Sequence, residues 1–151
     1  LQNIAMSEAP DIVARAYKVA GLLGLEHDIN QLPNGYDTDL QKSGMLQGSK
    51  GFLQRLNIAR ALARNPSILL FNDAMNAMDS DRQVRTGAVL QYIAQDCVII
   101  GYDTSDKLIR FADLSIDLGV GQSGLRQKRQ TGTALAERAK ATVGSENTVC
   151  A

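Results

Sequence analysis

The chain of 151 residues is long enough for one domain with a hydrophobic core and does not favour two domains. Its 44% hydrophobic and 21% charged residues are typical of a soluble globular protein, and its formal net charge of zero gives no global argument for nucleic acid or an anionic membrane. No apolar run approaches the roughly 18 residues of a membrane span, and no secretory signal segment is present. Cys97 and Cys150 do not form a disulfide framework, which favours a reducing, cytosolic setting. The chain begins with Leu1 rather than Met, which suggests an origin in a longer protein.

The first part of the chain has the pattern of short helices. Ser7 precedes a run of apolar residues at helical spacing, and Gly24 marks the end of that predicted helix. A short helical turn over residues 25–32 then ends at the turn signal of residues 33–35, Pro-Asn-Gly. Residues 36–50 are polar and irregular, so no element is predicted there.

A longer amphipathic helix is predicted from Gly51 to Arg64, and Asn65-Pro66 ends it. Its N-terminus, near Ser49, is expected to point out of the molecule. Apolar residues at helical spacing form its buried face, and three arginines fall on other faces. The apolar set is Phe52, Leu56, Ala59, Leu62 and Ala63, and the arginines are Arg55, Arg60 and Arg64.

Strands and helices alternate after residue 66, which predicts an α/β fold with a parallel sheet and flanking helices. The first strand, Ser67 to Asn72, is apolar almost without alternation, as expected when helices cover both faces of a sheet. A helical subdomain over about residues 1–64 would precede core strands and helices over about 65–120, and a loosely ordered tail would follow over 121–151. The other predicted elements are a helix at 81–95, a strand at 97–101, a short helix at 105–111 and a strand at 114–118.

Five segments carry a recognisable pattern. They are LQNIAMSEAP at 1–10, LPNGYDT at 32–38, LQRLNIARALARNPSILLF at 53–71, DAMNAMDS at 73–80 and FADLSIDLG at 111–119. In this order they resemble the ATP-binding domain of ABC transporters, especially exporters. The resemblance covers about residues 1–120 and implies the P-loop-NTPase-like fold of an ABC ATPase, with its helical subdomain placed before the later core strands.

The phosphate-binding loop of that family, GxxxxGK(S/T), does not occur in this sequence. In the family the loop grips ATP and lies upstream of the segment where this chain starts, as does the glutamine loop. The chain therefore resembles the second half of such a domain, and we expect binding of ATP and Mg²⁺ by this chain alone to be weak.

The family's LSGGQ signature, whose serine and backbone N–H groups contact the phosphate held by the partner domain, matches a changed stretch here. Counting back from Gln54 places Ser49, Lys50 and Gly51 against its Ser-Gly-Gly, while counting forward from residues 35–38 is off by one. Lys50 adds a long side chain where backbone must approach phosphate, although its charge could still attract phosphate. A solvated helix start is the other interpretation.

In members of the family, the strand equivalent to residues 67–72 ends in Asp-Glu. The Asp helps to hold Mg²⁺, and the Glu acts as base on the attacking water. Here Asn72 takes the metal position and Asp73 the base position. Asn is a neutral and poorer ligand for Mg²⁺, and Asp73 is one methylene shorter than Glu. Shifting the alignment so that Asp73 binds the metal leaves Ala74 as base, which lacks the chemistry. The alternative is that Asn72 and Asp73 only end the strand and start a turn.

Two further positions follow from the resemblance. Asp79 matches the aspartate of the loop that touches the opposite domain of a dimer, and it also suits an N-cap. The family's switch histidine would fall at Tyr102, Asp103 or Thr104, none of which is histidine. The single histidine of the chain, His27, lies far upstream and is interpreted as a surface residue.

The resemblance implies a part of an exporter that couples ATP to transport, with impaired catalysis because Asn72, Asp73 and the missing histidine depart together. Implied partners are a second ATP-binding domain and a membrane-spanning domain, with no nucleic acid, and the implied location is the cytoplasmic face of a membrane, with the chain itself soluble. A non-catalytic regulatory or interaction module that kept the fold is the alternative. An unrelated small α/β enzyme is disfavoured because no Ser/His or Cys/His constellation is present.

Overall fold

The computed structural model of the chain describes residues 1–41, 49–102, 107–117 and 124–127. Among the helices of these ranges, none combines the length and the hydrophobicity of a membrane-spanning segment. The helices are α1 (Gln2–Ala5), α2 (Pro10–Leu22), α3 (Glu26–Asn30), α4 (Lys50–Ala63) and α5 (Ser80–Ile93), with short 3-10 turns at Gly35–Asp37 and Ile109–Phe111; the strands are β1 (Ile68–Asn72), β2 (Val98–Tyr102), β3 (Leu114–Asp117) and β4 (Gly124–Gln127).

Helix α2 forms where the apolar spacing predicted it. Pro10 occupies the first turn, where its missing N–H leaves no hydrogen bond unmade. The chain leaves the helix through Gly24, whose φ of 65° is a left-handed conformation that glycine adopts readily. Ala16, Val19 and Ala20 are buried, so this face of α2 packs into the core.

Helix α4 is the continuous helix predicted from the sequence. Ser49 caps its start, because the Ser49 Oγ accepts a hydrogen bond from the Phe52 N–H at 3.4 Å. Arg64 follows its last residue, and Asn65 then adopts a φ of 50° before Pro66. The predicted apolar face is confirmed, because Phe52, Leu56, Ala59, Leu62 and Ala63 are all buried.

The arginines of α4 differ from the prediction, because Arg55 is only 2% exposed. Its Nη2 lies 2.6 Å from the Asp28 Oδ2, and its Nη1 donates to the carbonyl of Gly24 at 2.9 Å. The Gly24 carbonyl lies just beyond the end of α2, where the helix dipole makes a cation favourable. The sequence placed Arg55 on a face other than the apolar one and gave no signal that this side chain would be buried.

Arg60 of α4 and Arg64 directly after it donate to backbone carbonyls near α1. Arg60 Nε lies 2.8 Å from the Asn3 oxygen, and Arg64 Nη2 lies 3.1 Å from the Met6 oxygen. In a third contact the acceptor is on α4, because Arg15 of α2 donates to the carbonyl of Ala63 at 3.0 Å. These contacts fix α4 against both α1 and α2.

The sheet is only partly the predicted one. Strands β1 and β2 pair in parallel, with Ile68 opposite Val98 and Asn72 opposite Tyr102. Strand β3 does not extend this sheet in the described residues. It forms an antiparallel pair with β4, a strand that lies in the segment interpreted as a tail.

One face of the β1–β2 sheet is open in the described part of the chain, so the expectation that helices cover both faces is wrong there. Leu69 of β1 is 6% exposed, whereas its neighbour Leu70 is 74% exposed. Side chains alternate between the faces of a strand, and the parallel register puts the exposed residues of both strands on the same side. This open apolar face comprises Ile68, Leu70, Val98, Ile100 and Tyr102.

The open face predicts opposite results for two adjacent leucines. We expect Leu69→Ala to lower the free energy of unfolding by about 2–3 kcal/mol, because it leaves a cavity in the core. Leu70→Ala should change that free energy by less than about 0.5 kcal/mol, because Leu70 is exposed. Urea unfolding of both variants measures the difference, and equal losses would mean that another layer covers Leu70 in solution.

The buried arginine gives a second prediction. Arg55→Ala should lower the free energy of unfolding by about 3 kcal/mol, since Asp28 and the carbonyl of Gly24 lose their buried partner. The control is Lys18→Ala, which removes an exposed charge from α2 and should cost less than about 0.5 kcal/mol. Similar effects of the two changes in urea unfolding would contradict the assignment.

Candidate functional site

The predicted site residues of the two strands meet at the carboxyl end of the parallel sheet, where ligands bind in open α/β folds. Asn72 ends β1 opposite Tyr102, and the Asp73 N–H donates to the Tyr102 carbonyl at 3.0 Å. Asn72 and Tyr102 are exposed, and Asp73 is half-buried. Asp103 and Thr104, the other two positions considered for the switch histidine, lie outside the described residues.

Asp73 has an unusual backbone conformation. Its φ of 46° lies in the left-handed region, which is uncommon for a residue other than glycine, although Asp tolerates it better than most. This conformation turns the chain sharply away from β1. The carboxylate at the base-like position therefore stands on a tight turn rather than on the strand itself.

The segment that follows, residues 73–78, is here called the acidic turn. The Asn76 N–H donates to the Asp73 carbonyl at 3.3 Å, and the Met78 N–H donates to the Met75 carbonyl at 3.1 Å. Met75 and Met78 are buried and anchor the acidic turn to the core. It leads directly into Asp79, the residue before α5.

The signature-like residues lie against the acidic turn. A Cβ added at Gly51 would come within 2.8 Å of the Ala77 carbonyl oxygen, which is closer than real Cβ contacts. Gly51 is therefore required by packing, a reason the sequence did not reveal. Lys50 is exposed at the first turn of α4, and Ser49 is half-buried at its cap.

Two glutamines that sequence reasoning missed hold the acidic turn. Gln54 of α4 donates from Nε2 to the Asp73 carbonyl at 3.2 Å and accepts at Oε1 from the Ala77 N–H at 3.0 Å. Gln83 of α5 is buried and donates to the Met78 carbonyl at 2.7 Å. No spacing rule marks a side chain that bonds to a distant backbone, so the sequence carried no signal for either glutamine.

Asp79 is the N-cap of α5, as its sequence allowed. Its Oδ1 accepts from the Arg82 N–H at 2.9 Å, and its Oδ2 forms an ion pair with the Arg82 guanidinium. These contacts, the backbone hydrogen bond first, lower the pKa of Asp79 below its ordinary value of 3.8. Arg82 also lies 3.7 Å from Asp28, the partner of Arg55, so charged contacts connect Asp79 to the helical part.

Among the described residues, the donor set at the end of β1 is poor for Mg²⁺. Asn72 supplies a neutral amide and Asp73 the only carboxylate of the pair, while Mg²⁺ favours carboxylates together with phosphates and water. Within the described ranges no group of three metal-binding side chains is found. His27 is exposed on α3 and hydrogen-bonds to Gln31 at 2.9 Å, so its interpretation as a surface residue is confirmed.

An open groove of about 300 Å³ runs between α4 and β1 beside this site. One helical stripe, including Gln54, Asn57 and Ala61, forms one wall, and Leu70 and Asn72 contribute to the other. Leu70 belongs both to this wall and to the open apolar face.

Known proteins show similarity to this chain. It is 37% identical over 117 residues to ABC transporter B family member 17 of Arabidopsis thaliana, and 33% identical over 115 residues to the mitochondrial iron-sulfur clusters transporter ABCB7 of Danio rerio, covering 71% and 76% of this chain. It spans 9% and 15% of the length of these relatives. A solved bacterial Atm1-family ABC exporter with ATP bound has a TM-score of 0.70 and 26% identity, over 96% of this chain and 25% of that chain. No protein-family profile matches the sequence.

The lowered pKa of Asp79 predicts a stability that depends on pH. A carboxylate whose pKa is lower in the folded state stabilises that state above its unfolded value of 3.8, and this contribution is lost as the pH falls through the folded pKa. Asn keeps the capping acceptor without titrating, so Asp79→Asn should weaken the fall of the melting temperature between about pH 4.5 and about pH 2.5. Calorimetry over this range measures it, and identical pH profiles would contradict the role of Asp79.

Proposed function

Because this chain belongs to the ABC transporter family, we propose that it works within the ATP-binding part of an exporter whose nucleotide is gripped mainly by a second ATP-binding domain. In this proposal the chain presents Ser49, Lys50 and Gly51 to the nucleotide and contributes little to hydrolysis. The partners are that second domain and a membrane-spanning domain, and the location is the cytoplasmic face of the membrane.

The proposal is supported chiefly by one observation: the start of α4 and the acidic turn form one continuous surface. Gly51 packs against Ala77, and Asp79 follows two residues later. The proposed phosphate-facing helix start and the proposed dimer-facing aspartate would therefore face a partner domain together. A phosphate held by that partner would meet the N–H groups of the first turn of α4, where an anion is favourable.

Lys50 changes the character of this surface. Its exposed side chain is a compact positive charge that attracts phosphate, but it also occupies space where a glycine would let the backbone approach. We therefore propose that phosphate is attracted through charge more than through close backbone contact. Such binding is sensitive to salt because exposed charges are screened.

Impaired hydrolysis is proposed from the strand ends. Among the described residues at the strand ends, Asp73 is the base candidate, and its side chain is shorter than the Glu that the family uses. Asn72 is a weak Mg²⁺ ligand, so the metal that accompanies ATP would be held by the partner domain. No histidine stands at residues 102–104 to contact the terminal phosphate.

The experiment combines the purified chain with an intact ABC exporter ATP-binding domain. We expect no phosphate release from Mg-ATP by the chain alone, and tighter binding of a fluorescent ATP analogue by the intact domain when the chain is added. Lys50→Glu should weaken this effect several-fold because it reverses the charge that faces phosphate. The matched control, Lys18→Glu, reverses an exposed charge on α2 and should leave the effect unchanged.

Two results would contradict the proposal. Turnover by the isolated chain that Asp73→Asn abolishes would show that hydrolysis is not impaired. Equal weakening by Lys50→Glu and Lys18→Glu would remove the helix start from the nucleotide surface.

A non-catalytic interaction module is the second candidate, and the open apolar face of the sheet favours it. Leu70 and Ile100 are exposed on that face, and parallel sheets are ordinarily covered on both sides. An interaction module would bind a protein partner through this face and leave nucleotide binding by an intact domain unchanged. The same titration with the ATP analogue therefore separates the two functions.

A further inference from the structure

Gln54 uses both ends of its side-chain amide on the acidic turn. The donor end reaches the Asp73 carbonyl at 3.2 Å, and the acceptor end receives the Ala77 N–H at 3.0 Å. Gln54 lies one turn beyond Lys50 on α4, so a single side chain connects the start of that helix to both ends of a five-residue segment, residues 73–77.

Other contacts also hold the acidic turn. Gln83 holds the Met78 carbonyl, and the buried Met75 and Met78 side chains anchor the acidic turn from the other side. What the Gln54 contacts add is a defined position of Asp73 and Ala77 relative to α4. Asp73 also has a left-handed φ, a conformation that neighbouring contacts must hold in place.

We propose that Gln54 is a positioning residue that couples the acidic turn to the start of α4. Through it, a ligand that engages Ser49 or Lys50 would reduce the mobility of Asp73 and of the segment leading to Asp79. This last consequence rests on the proposed function, whereas the coupling itself does not.

The coupling is tested on the full chain by the hydrogen-exchange protection of the Ala77 amide, followed by NMR. We expect Gln54→Ala to reduce that protection about tenfold or more, because it removes both hydrogen bonds. Asn57→Ala is the matched control, since Asn57 is exposed on the same groove-facing stripe of α4 and no hydrogen bond to the acidic turn is found for it in the described residues.

Gln54→Glu distinguishes hydrogen bonding by this side chain from a general packing role. Its carboxylate can accept from the Ala77 N–H, but it cannot donate to the Asp73 carbonyl and repels that oxygen. Protonation below a carboxyl pKa of about 4.3 restores a donor. Hydrogen-exchange protection of the Ala77 amide, measured relative to an α2 amide, should therefore recover as the pH falls.

The other charged groups around this position are accounted for by a second control. Among the described residues they are Lys50 on α4, Asp73 and Asp79 on and after the acidic turn, Arg82, which forms an ion pair with Asp79, and Lys107, whose Nζ donates to the Asn76 carbonyl at 3.1 Å. All five are retained in Asn57→Asp, which adds a carboxylate one turn away on α4. Only Gln54→Glu should show recovery at low pH.

The outcomes separate the inference from the proposed function. Loss of Ala77 protection in Gln54→Ala, with recovery of Gln54→Glu at low pH, supports the coupling. Unchanged protection, or an equal loss in α2 amides, overturns it. Finally, adding Mg-ATP and an intact exporter ATP-binding domain should increase Ala77 protection in the wild-type chain and not in Gln54→Ala. If the nucleotide affects neither chain, the proposed function is contradicted. The coupling would still be supported by the first two measurements.

Discussion

The burial of one arginine organises the helical part of this protein. Arg55 places its guanidinium between Asp28 and the carbonyl groups that end α2, and it is nearly inaccessible to solvent. A charge is stable in such a place only when its partners are fixed, so α2, α3 and α4 must assemble together. Arg60 and Arg64 extend the same constraint to α1 through backbone carbonyls. The position of the helix start at Ser49 follows from this assembly.

Fixing α4 also fixes the neighbouring acidic turn. Gly51 allows the close approach of the Ala77 carbonyl, and Gln54 closes the contact with two hydrogen bonds. The two candidate functional carboxylates are those of Asp73 and Asp79. They lie on and directly after the acidic turn, which hydrogen-bonds to α4 through Gln54 and to α5 through Gln83. The coupling proposed for Gln54 rests on this arrangement, in which short contacts join α4 to the backbone of the acidic turn.

In contrast to the packed helices, the β1–β2 sheet has one face that the described residues do not cover. Leu70 and Ile100 present apolar surface on the side opposite the buried Leu69. Apolar area exposed in this way favours association, and a parallel sheet is ordinarily covered on both sides. The solved exporter that resembles this chain is about four times as long, since this chain covers 25% of it. The two candidate functions differ in what they require of this face.

The sequence by itself determined the features that depend on local signals. The breaker Asn65-Pro66 and the stop at Gly24 predicted where α4 and α2 end, and the spacing of apolar residues predicted the run of each helix, because these effects act within a few residues. The tertiary structure decided the rest. Arg55 and Asp28 are 27 residues apart, and their contact exists only because the helices pack together. Likewise the bonds of Gln54 to the acidic turn, the pairing of β3 with β4 and the open face of the sheet depend on contacts between distant segments, which no local pattern encodes.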